Sequence, residues 1–159
     1  MNILLISDTH NMKALLRETV LPKHAAEVGY AIHLGDYVRD LLYLRSKYPN
    51  ITMAGVDGAY ENAEGTEHIL TIAGKRILLL HGHTAYVKSD LSYIAQYAKQ
   101  KNVDACFFGH THEPTIFTEH NIFFMNPGSL SQPRSNANGS YGLVSISTQG
   151  QISGEVKYV

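Results

Sequence analysis

Asp8, His10, Asp36, His81, His110 and His112 carry side chains of the kind that hold divalent metal ions. They fall in four short clusters, Asp8-Thr9-His10, Gly35-Asp36, His81-Gly82-His83 and Gly109-His110-Thr111-His112. Carboxylate oxygens mixed with imidazole nitrogens suit Mn, Fe, Zn or Ni better than Ca or an all-thiolate metal. Asp36 offers two oxygens, one for each of two ions, and such bridging comes easily to a carboxylate but not to a histidine. Asp8 and His10 share a face if the chain stays extended, so both can reach one ion. A strand-end turn with an Asp cap and a surface histidine fits that pair, taken alone, equally well. Single buried histidines are usually satisfied core residues. Two histidine pairs, each at the end of an apolar strand, are harder to explain that way. The set reads as the centre of a metal-dependent hydrolase.

Every cluster follows an apolar run: Ile3 to Ile6, Ala31 to Leu34, Ile77 to Leu80 and Ala105 to Phe108. Such runs predict buried strands, with each cluster where a strand passes into its loop. Ligands delivered from several adjacent strand ends converge, as scattered surface histidines cannot. The remaining chain supplies the frame. Residues 12–28 predict a helix that Pro22 kinks or splits. Val38 to Tyr48 predicts a second helix, and Ile51 to Ala54 a strand. Glu67 to Ile72 and Lys75 to Leu80 flank a hairpin turn at Ala73-Gly74. Asp90 caps a helix running to about Lys101, with Leu91, Ile94, Ala95 and Ala98 on one face. Thr115 to Thr118, Ile122 to Met125, Tyr141 to Ser147 and Ile152 to Tyr158 complete the strands, and residues 55–64 and 131–140 read as loops. The expected fold is an α/β sandwich, four layers in α/β/β/α order, with two mixed sheets, flanking helices and the ligands at one rim.

Residues 1–159 fit one domain with a sizeable core. A net charge of −1 gives no support to stable nucleic-acid binding or a membrane footprint. The amino-terminal stretch reads as a first strand and not a signal peptide, and no apolar run approaches a membrane span, so a cytoplasmic protein is expected. Cys106 stands alone inside an apolar run and reads as a small buried side chain. His24, His33, His68 and His120 lack ligand contexts and are assigned to structure or solvent. No Gly-x-Ser-x-Gly elbow supports a nucleophilic triad.

The order Asp-x-His, Gly-Asp, His-Gly-His, Gly-His-Thr-His resembles the calcineurin-like metallophosphoesterase superfamily, and within it the small YfcE-like phosphodiesterases. The resemblance extends from Ser7-Asp8-Thr9-His10 to Asn126-Pro127-Gly128-Ser129 and Pro133-Arg134. It implies that Asp8, His10 and His112 hold one ion, that His81 and His110 hold the second, and that Asp36 bridges them. It also implies an Asn on the second ion, within a Gly-Asn-x-Asp block after the third strand. Here that segment is Gly55-Val56-Asp57-Gly58, and Val56 stands at the Asn position, where it cannot coordinate. Either a one-residue slip brings Asp57 to the metal, or the second site is weakened and Asp57 occupies the place of a leaving-group histidine in larger relatives. The reading adopted puts Asp57 near the metals with no role assigned.

The implied activity is hydrolysis of a small phosphate ester by a hydroxide bridging two cations about 3.5–4 Å apart. Mn is favoured by the resemblance, with Ni, Zn, Fe or Co as alternatives. No general acid stands out, which favours phosphodiesters with a good leaving group. Arg134, in a polar loop, is the candidate contact for the substrate phosphate, with an exposed structural Arg as the other reading; Asn11 and His83 stand in the same position. The rival class is a non-catalytic scaffold, since the superfamily includes a retromer subunit that binds proteins on this fold with an eroded metal site. Exposed sheet edges also admit a homo-oligomer.

Overall fold

The computed structural model describes all residues except Tyr60, Ala63, Tyr86, Lys88, Ser89 and 135–137. Ten strands form two five-stranded sheets. The first contains β1 (Asn2–Ile6), β2 (Tyr30–His33), β3 (Thr52–Gly55), β9 (Ser140–Ile146) and β10 (Ile152–Tyr158), in the order β10-β9-β1-β2-β3. The second contains β4 (Glu67–Ile72), β5 (Lys75–Leu80), β6 (Ala105–Phe108), β7 (Pro114–Glu119) and β8 (Ile122–Pro127), in the order β4-β5-β6-β8-β7. Each sheet has three neighbouring parallel strands, β1-β2-β3 in one and β5-β6-β8 in the other, with antiparallel strands beside them.

Alternation along the strands explains the unbroken apolar runs. Ile3, Leu5, Ile32, Ile77, Leu79 and Phe107 point between the sheets. Leu4 and Ile6 face outward but meet Leu16, Val20 and Leu21 of the first helical segment. Leu78, Leu80, Cys106 and Phe108 face outward against Ile94, Ala95 and Ala98 of the helix Leu91–Gln100. Both faces of the central strands are therefore dry, which is why their sequences do not alternate with polar residues. The layers follow the expected α/β/β/α order.

The helices depart from expectation in detail. The first runs as α1 (Lys13–Leu15), a π-helical stretch Leu16–Val20 and α2 (Leu21–His24). Pro22 has no N–H to give the carbonyl one α-turn earlier, and its ring crowds that carbonyl. The wider π turn, with Leu21 N–H donating to Leu16 O, absorbs the change of register. The second helix is much shorter than predicted. α3 covers Arg39–Leu42, after which Leu44, Arg45 and Lys47 donate three residues back, so tighter turns replace the α-helix before Tyr48. α4 (Leu91–Gln100) matches its expectation, with Asp90 Oδ1 accepting the Ser92 N–H at 2.8 Å. Ala73-Gly74 and His120-Asn121 both take positive φ at their two central positions, the geometry of tight hairpin turns. Among the described residues no helix is long and apolar enough to cross a membrane.

Candidate metal centre

The two parallel triplets end at one rim, and the loops leaving β1, β2, β3, β5 and β6 meet there. Hydrogen bonds between successive loops set their spacing. Asp8 N–H donates to Gly35 O (3.0 Å), Gly109 N–H to His81 O (2.9 Å), and Leu130 N–H to Ser7 O (3.2 Å). Asp8 O also accepts the hydroxyls of Ser129 (2.8 Å) and Ser131 (3.0 Å). Two glycines allow the loops to come this close. A Cβ on Gly109 would collide with Ser7 Oγ, and one on Gly58 would collide with Asp36 Oδ1 and the Asp36 backbone nitrogen.

The backbone at these positions is unusual. Asp8, His10, Asn11, Asp36, Tyr37, His110 and His112 all have positive φ, from 43° to 76°. The segment Asp8 to His10 is thus a left-handed turn and not the extended strand end expected. Asp, Asn and His tolerate this region better than most residues, yet such conformations persist only where surroundings enforce them, and they concentrate at functional sites.

One ligand-capable atom from each of Asp8, His10, Asp36 and His112 falls within 4.8 Å of the others. His112 Nε2 lies 3.0 Å from Asp8 Oδ1, and His10 Nε2 lies 3.8 Å from Asp36 Oδ2. On the other side of Asp36, Oδ1 lies 3.6 Å from His81 Nε2, which is 3.2 Å from His110 Nδ1. The Asp36 carboxylate therefore turns one oxygen toward each group. Two ligand atoms about 2.1 Å from one cation sit roughly 3.0–3.6 Å apart at inter-ligand angles of 90–120°. These separations meet or lie close to that range.

Hydrogen bonds behind the donors orient them. His81 Nδ1–H donates to Leu34 O at 2.6 Å, and His112 Nδ1–H donates to Gln132 O at 2.8 Å. Each bond leaves the opposite nitrogen with a lone pair aimed into the centre, the arrangement that metal-binding histidines use. Asp8 Oδ2 takes the Ser7 hydroxyl and the His110 N–H, whereas Asp8 Oδ1 and His10 Nε2 are buried with no well-aligned hydrogen bond among the described residues. A neutral His112 shows Asp8 Oδ1 only a lone pair, so either a proton or a cation belongs between them. Without metal the proton fills that place. The Asp8 partner lifts the His112 imidazole above its ordinary value. Burial pushes the Asp8 carboxyl up, but His112, nearby His81 and the Ser7 hydroxyl outweigh it and hold the carboxyl below its ordinary range. Burial lowers the His83 imidazole below its ordinary value.

Asp57 stands outside the group of Asp8, His10, Asp36 and His112. Its carboxylate accepts the N–H of Glu64 (2.9 Å) and of Gly65 (2.7 Å), anchoring the following loop. Val56 is fully buried in the core between the sheets. Arg134 is exposed and lines a cleft of about 300 Å³ beside the centre, with Val87, Leu91, Thr111, Glu113 and Thr115. Asn11 is exposed at the rim. His24, His33, His68 and His120 lie outside the donor group. His24 Nε2 meets the Tyr141 hydroxyl, and His33 is fully buried with its imidazole driven down to about 3.

Three supporting groups hold the loops that carry the donors. Thr9 donates its hydroxyl to buried Asp40 (2.8 Å) and meets His33 Nε2 (3.0 Å), pinning the turn that carries Asp8 and His10. Glu61 accepts the N–H of Val38 and of Gly58, tying the Asp36 loop to the next. Asn126 donates to Gly109 O and Thr111 Oγ1 beneath the His110 loop. A histidine inside the apolar strand Tyr30–His33 is the one sequence signal that points to the Thr9 network.

Residues 1–149 match the family model of the calcineurin-like phosphoesterase superfamily domain. The chain is 30% identical over 146 residues to the probable metallophosphoesterase YsnB of Bacillus subtilis, covering 92% of this chain and 85% of that one. Among solved structures, Vps29 of Entamoeba histolytica, crystallised with zinc, matches with a TM-score of 0.76 at 20% identity over 99% of both chains. An archaeal phosphodiesterase matches with a TM-score of 0.71 at 20% identity, covering 99% of this chain and 100% of that one. At such identities these two structures speak for the fold alone. By its family match and its YsnB relative, the chain belongs to the calcineurin-like phosphoesterase superfamily.

Proposed function

We propose that residues 1–159 form one metal-dependent phosphodiesterase domain that binds two divalent cations, with Asp8, His10 and His112 on one, His81 and His110 on the other, and Asp36 between them. The observation that carries this reading is the Asp36 carboxylate, one oxygen facing His10 and the other facing His81. The buried His10 Nε2, with no hydrogen-bond partner among the described residues, supports it, because buried polar atoms rarely go without a partner. Bound there, divalent cations supply a hydroxide nucleophile near neutral pH and offset charge on the phosphoryl oxygens.

The protein's own residues do the rest. His81 and His112, held through their Nδ1–H bonds to backbone carbonyls, keep their metal-facing nitrogens fixed. Arg134 reaches into the adjoining cleft, where its guanidinium contacts the ester phosphate as the alcohol group lies along Val87 and Leu91. No side chain stands as an evident acid for the leaving alcohol, so esters with stable leaving groups react best. Mn is the favoured ion, the substrate is small, and the cytoplasm is the proposed location. Metal-stripped protein reloaded with Mn should hydrolyse a bis-aryl phosphodiester faster than the aryl monoester, and a chelator should abolish turnover. No turnover with any of Mn, Ni, Co, Zn or Mg contradicts the enzyme reading.

A second reading has one observation behind it. Val56, at the position of the family's Asn ligand, is buried in the core, and a protein-binding scaffold of this fold tolerates such a loss. Metal binding without turnover of any phosphodiester favours the scaffold.

A further inference from the structure

β10 is an edge strand with half of its backbone groups turned away from its sheet. Val159 N–H donates to Gly139 O and Ser147 N–H donates to Gln151 O, so the odd-numbered residues of this stretch bond to β9. The N–H and C=O groups of Ile152, Gly154, Val156 and Tyr158 therefore point outward, and β9 is the one strand beside β10 among the described residues. At seven residues β10 is the longest of the edge strands, and neither a proline nor a bulge interrupts it. Those are the usual devices that turn a partner strand away.

The facing sheet extends one strand further. Gly154 lies against β8, where a Cβ would come within 2.9 Å of Met125 Sδ and 3.0 Å of Phe123 Cζ. β7 lies beyond β8, and β10 is the last strand of its own sheet. Ile116 of β7 is paired with Met125, a member of the core between the sheets, so it faces the same way, yet it is 41% exposed. Tyr158 at the β10 edge is 47% exposed. A cleft of about 200 Å³, with Thr118, Phe123 and Ile152 in its lining, opens between β7 and β10. A strand added to β10 would lie over β7 and cover this apolar step.

The side chains of β10 fit a second copy of the same strand. In an antiparallel pair centred on Val156, Glu155 of each copy stands opposite Lys157 of the other, and Tyr158 stands opposite Gly154. An aromatic ring opposite a glycine covers the bare backbone there. Glu155 and Lys157 share the outer face of the sheet, 2.9 Å apart within one chain, so both remain at the surface in the pair. The next two-fold registers are worse. Centred on Glu155 the pair opposes two carboxylates, and centred on Lys157 it opposes two ammonium groups.

We infer that the chain forms a two-fold dimer through β10, which joins the first sheets of two copies into one continuous sheet. About six backbone hydrogen bonds link the two edges. The exposed ion pairs add little energy but fix the register. Neither Glu155 nor Lys157 belongs to the metal centre, so failure of the dimer leaves the proposed function standing.

Sedimentation equilibrium of the full-length protein at low salt tests it. Wild type should show a monomer–dimer equilibrium in the micromolar range. Glu155→Lys and Lys157→Glu each oppose like charges across the pair and should self-associate about tenfold or more weakly, with thermal melting unchanged. An equimolar mixture of these two variants should dimerise as wild type does, because each copy then meets the opposite charge. Hydrogen exchange of the wild type needs no variant: the amides of Gly154, Val156 and Tyr158 should gain protection as protein concentration rises. A wild type that stays monomeric, edge amides that gain no protection, or single variants that associate as tightly as wild type overturn the inference. A mixture that associates no more tightly than its components also overturns it.

Discussion

The two halves of the centre share Asp36 but are built differently. In the first half, Asp8, His10 and His112 all sit on left-handed backbone, and one donor atom from each lies with Asp36 inside a 4.8 Å group. Ser129, Ser131 and the Thr9–Asp40–His33 network hold the turn beneath them. In the second half, His81 leaves β5 directly without positive φ and is fixed by a single carbonyl, and the β3 loop contributes no donor to the proposed set. The first half is held by hydrogen bonds from several loops at once. The second depends on fewer elements and on Asp36, so losses should be graded: shared residue first, then each half, then the supports.

Asp36→Ala should have the largest effect, removing both ions and lowering turnover by more than the 10–100-fold that follows loss of a ligand's outer hydrogen-bond partner. Dialysis with metal analysis, beside thermal melting to show the fold intact, checks this. Gly58→Ala sharpens the point without touching a ligand. Its methyl group would push against Asp36 Oδ1, so affinity for both ions should fall together, by about tenfold or more. If only one ion is affected, Asp36 is not shared.

Next come the single-half losses. His112→Ala should keep the ion at His81 and His110, and His81→Ala should keep the ion at Asp8 and His10, each binding one equivalent in the same assay. Val56→Asn tests why the halves differ. If Val56 belongs to the core, a buried amide there costs stability by roughly 1–3 kcal/mol and adds no metal affinity. A tighter second site in that variant would mean the side chain can turn to the metals.

The smallest effect is on the metal-free protein. His112 has a raised pKa, so its contribution to stability is complete below its ordinary value of 6.5 and is lost as pH rises through the raised value. Asp8 has a lowered pKa, so its contribution is present above 3.8 and is lost as pH falls through the lowered value. The pair therefore stabilises most between about pH 4 and 6.5. Thermal melting of stripped protein across pH 4–9 should show the alkaline decline, and His112→Gln should remove it.

Much of this architecture is legible in the residues themselves. Runs such as Ile3 to Ile6 and Ile77 to Leu80 are apolar because both strand faces are covered, and the polar clusters after them mark the rim. The hairpin at Ala73-Gly74 and the Asp90 cap are local signals with local causes, and both stand where their residues predict them. What is not legible depends on distant partners. Nothing in Gly55-Val56-Asp57-Gly58 tells that the Asp57 carboxylate will be taken by Glu64 and Gly65. Asp40 and Glu61 carry no spacing signal, because each acts on a loop from another strand. The helix after Val38 fails early for reasons its apolar spacing does not carry. Left-handed backbone at Asp8 and His10 replaces an extended strand end for the same reason: the turn is imposed by Ser129, Ser131 and Asp40 from elsewhere in the chain.

Anomalous diffraction from crystals grown with Mn would locate the bound ions and show whether Asp36 lies between two of them. Two peaks are expected about 3.5–4 Å apart on either side of the Asp36 carboxylate, one beside Asp8, His10 and His112 and the other beside His81 and His110. A single peak, or a pair that does not share Asp36, contradicts a two-cation centre.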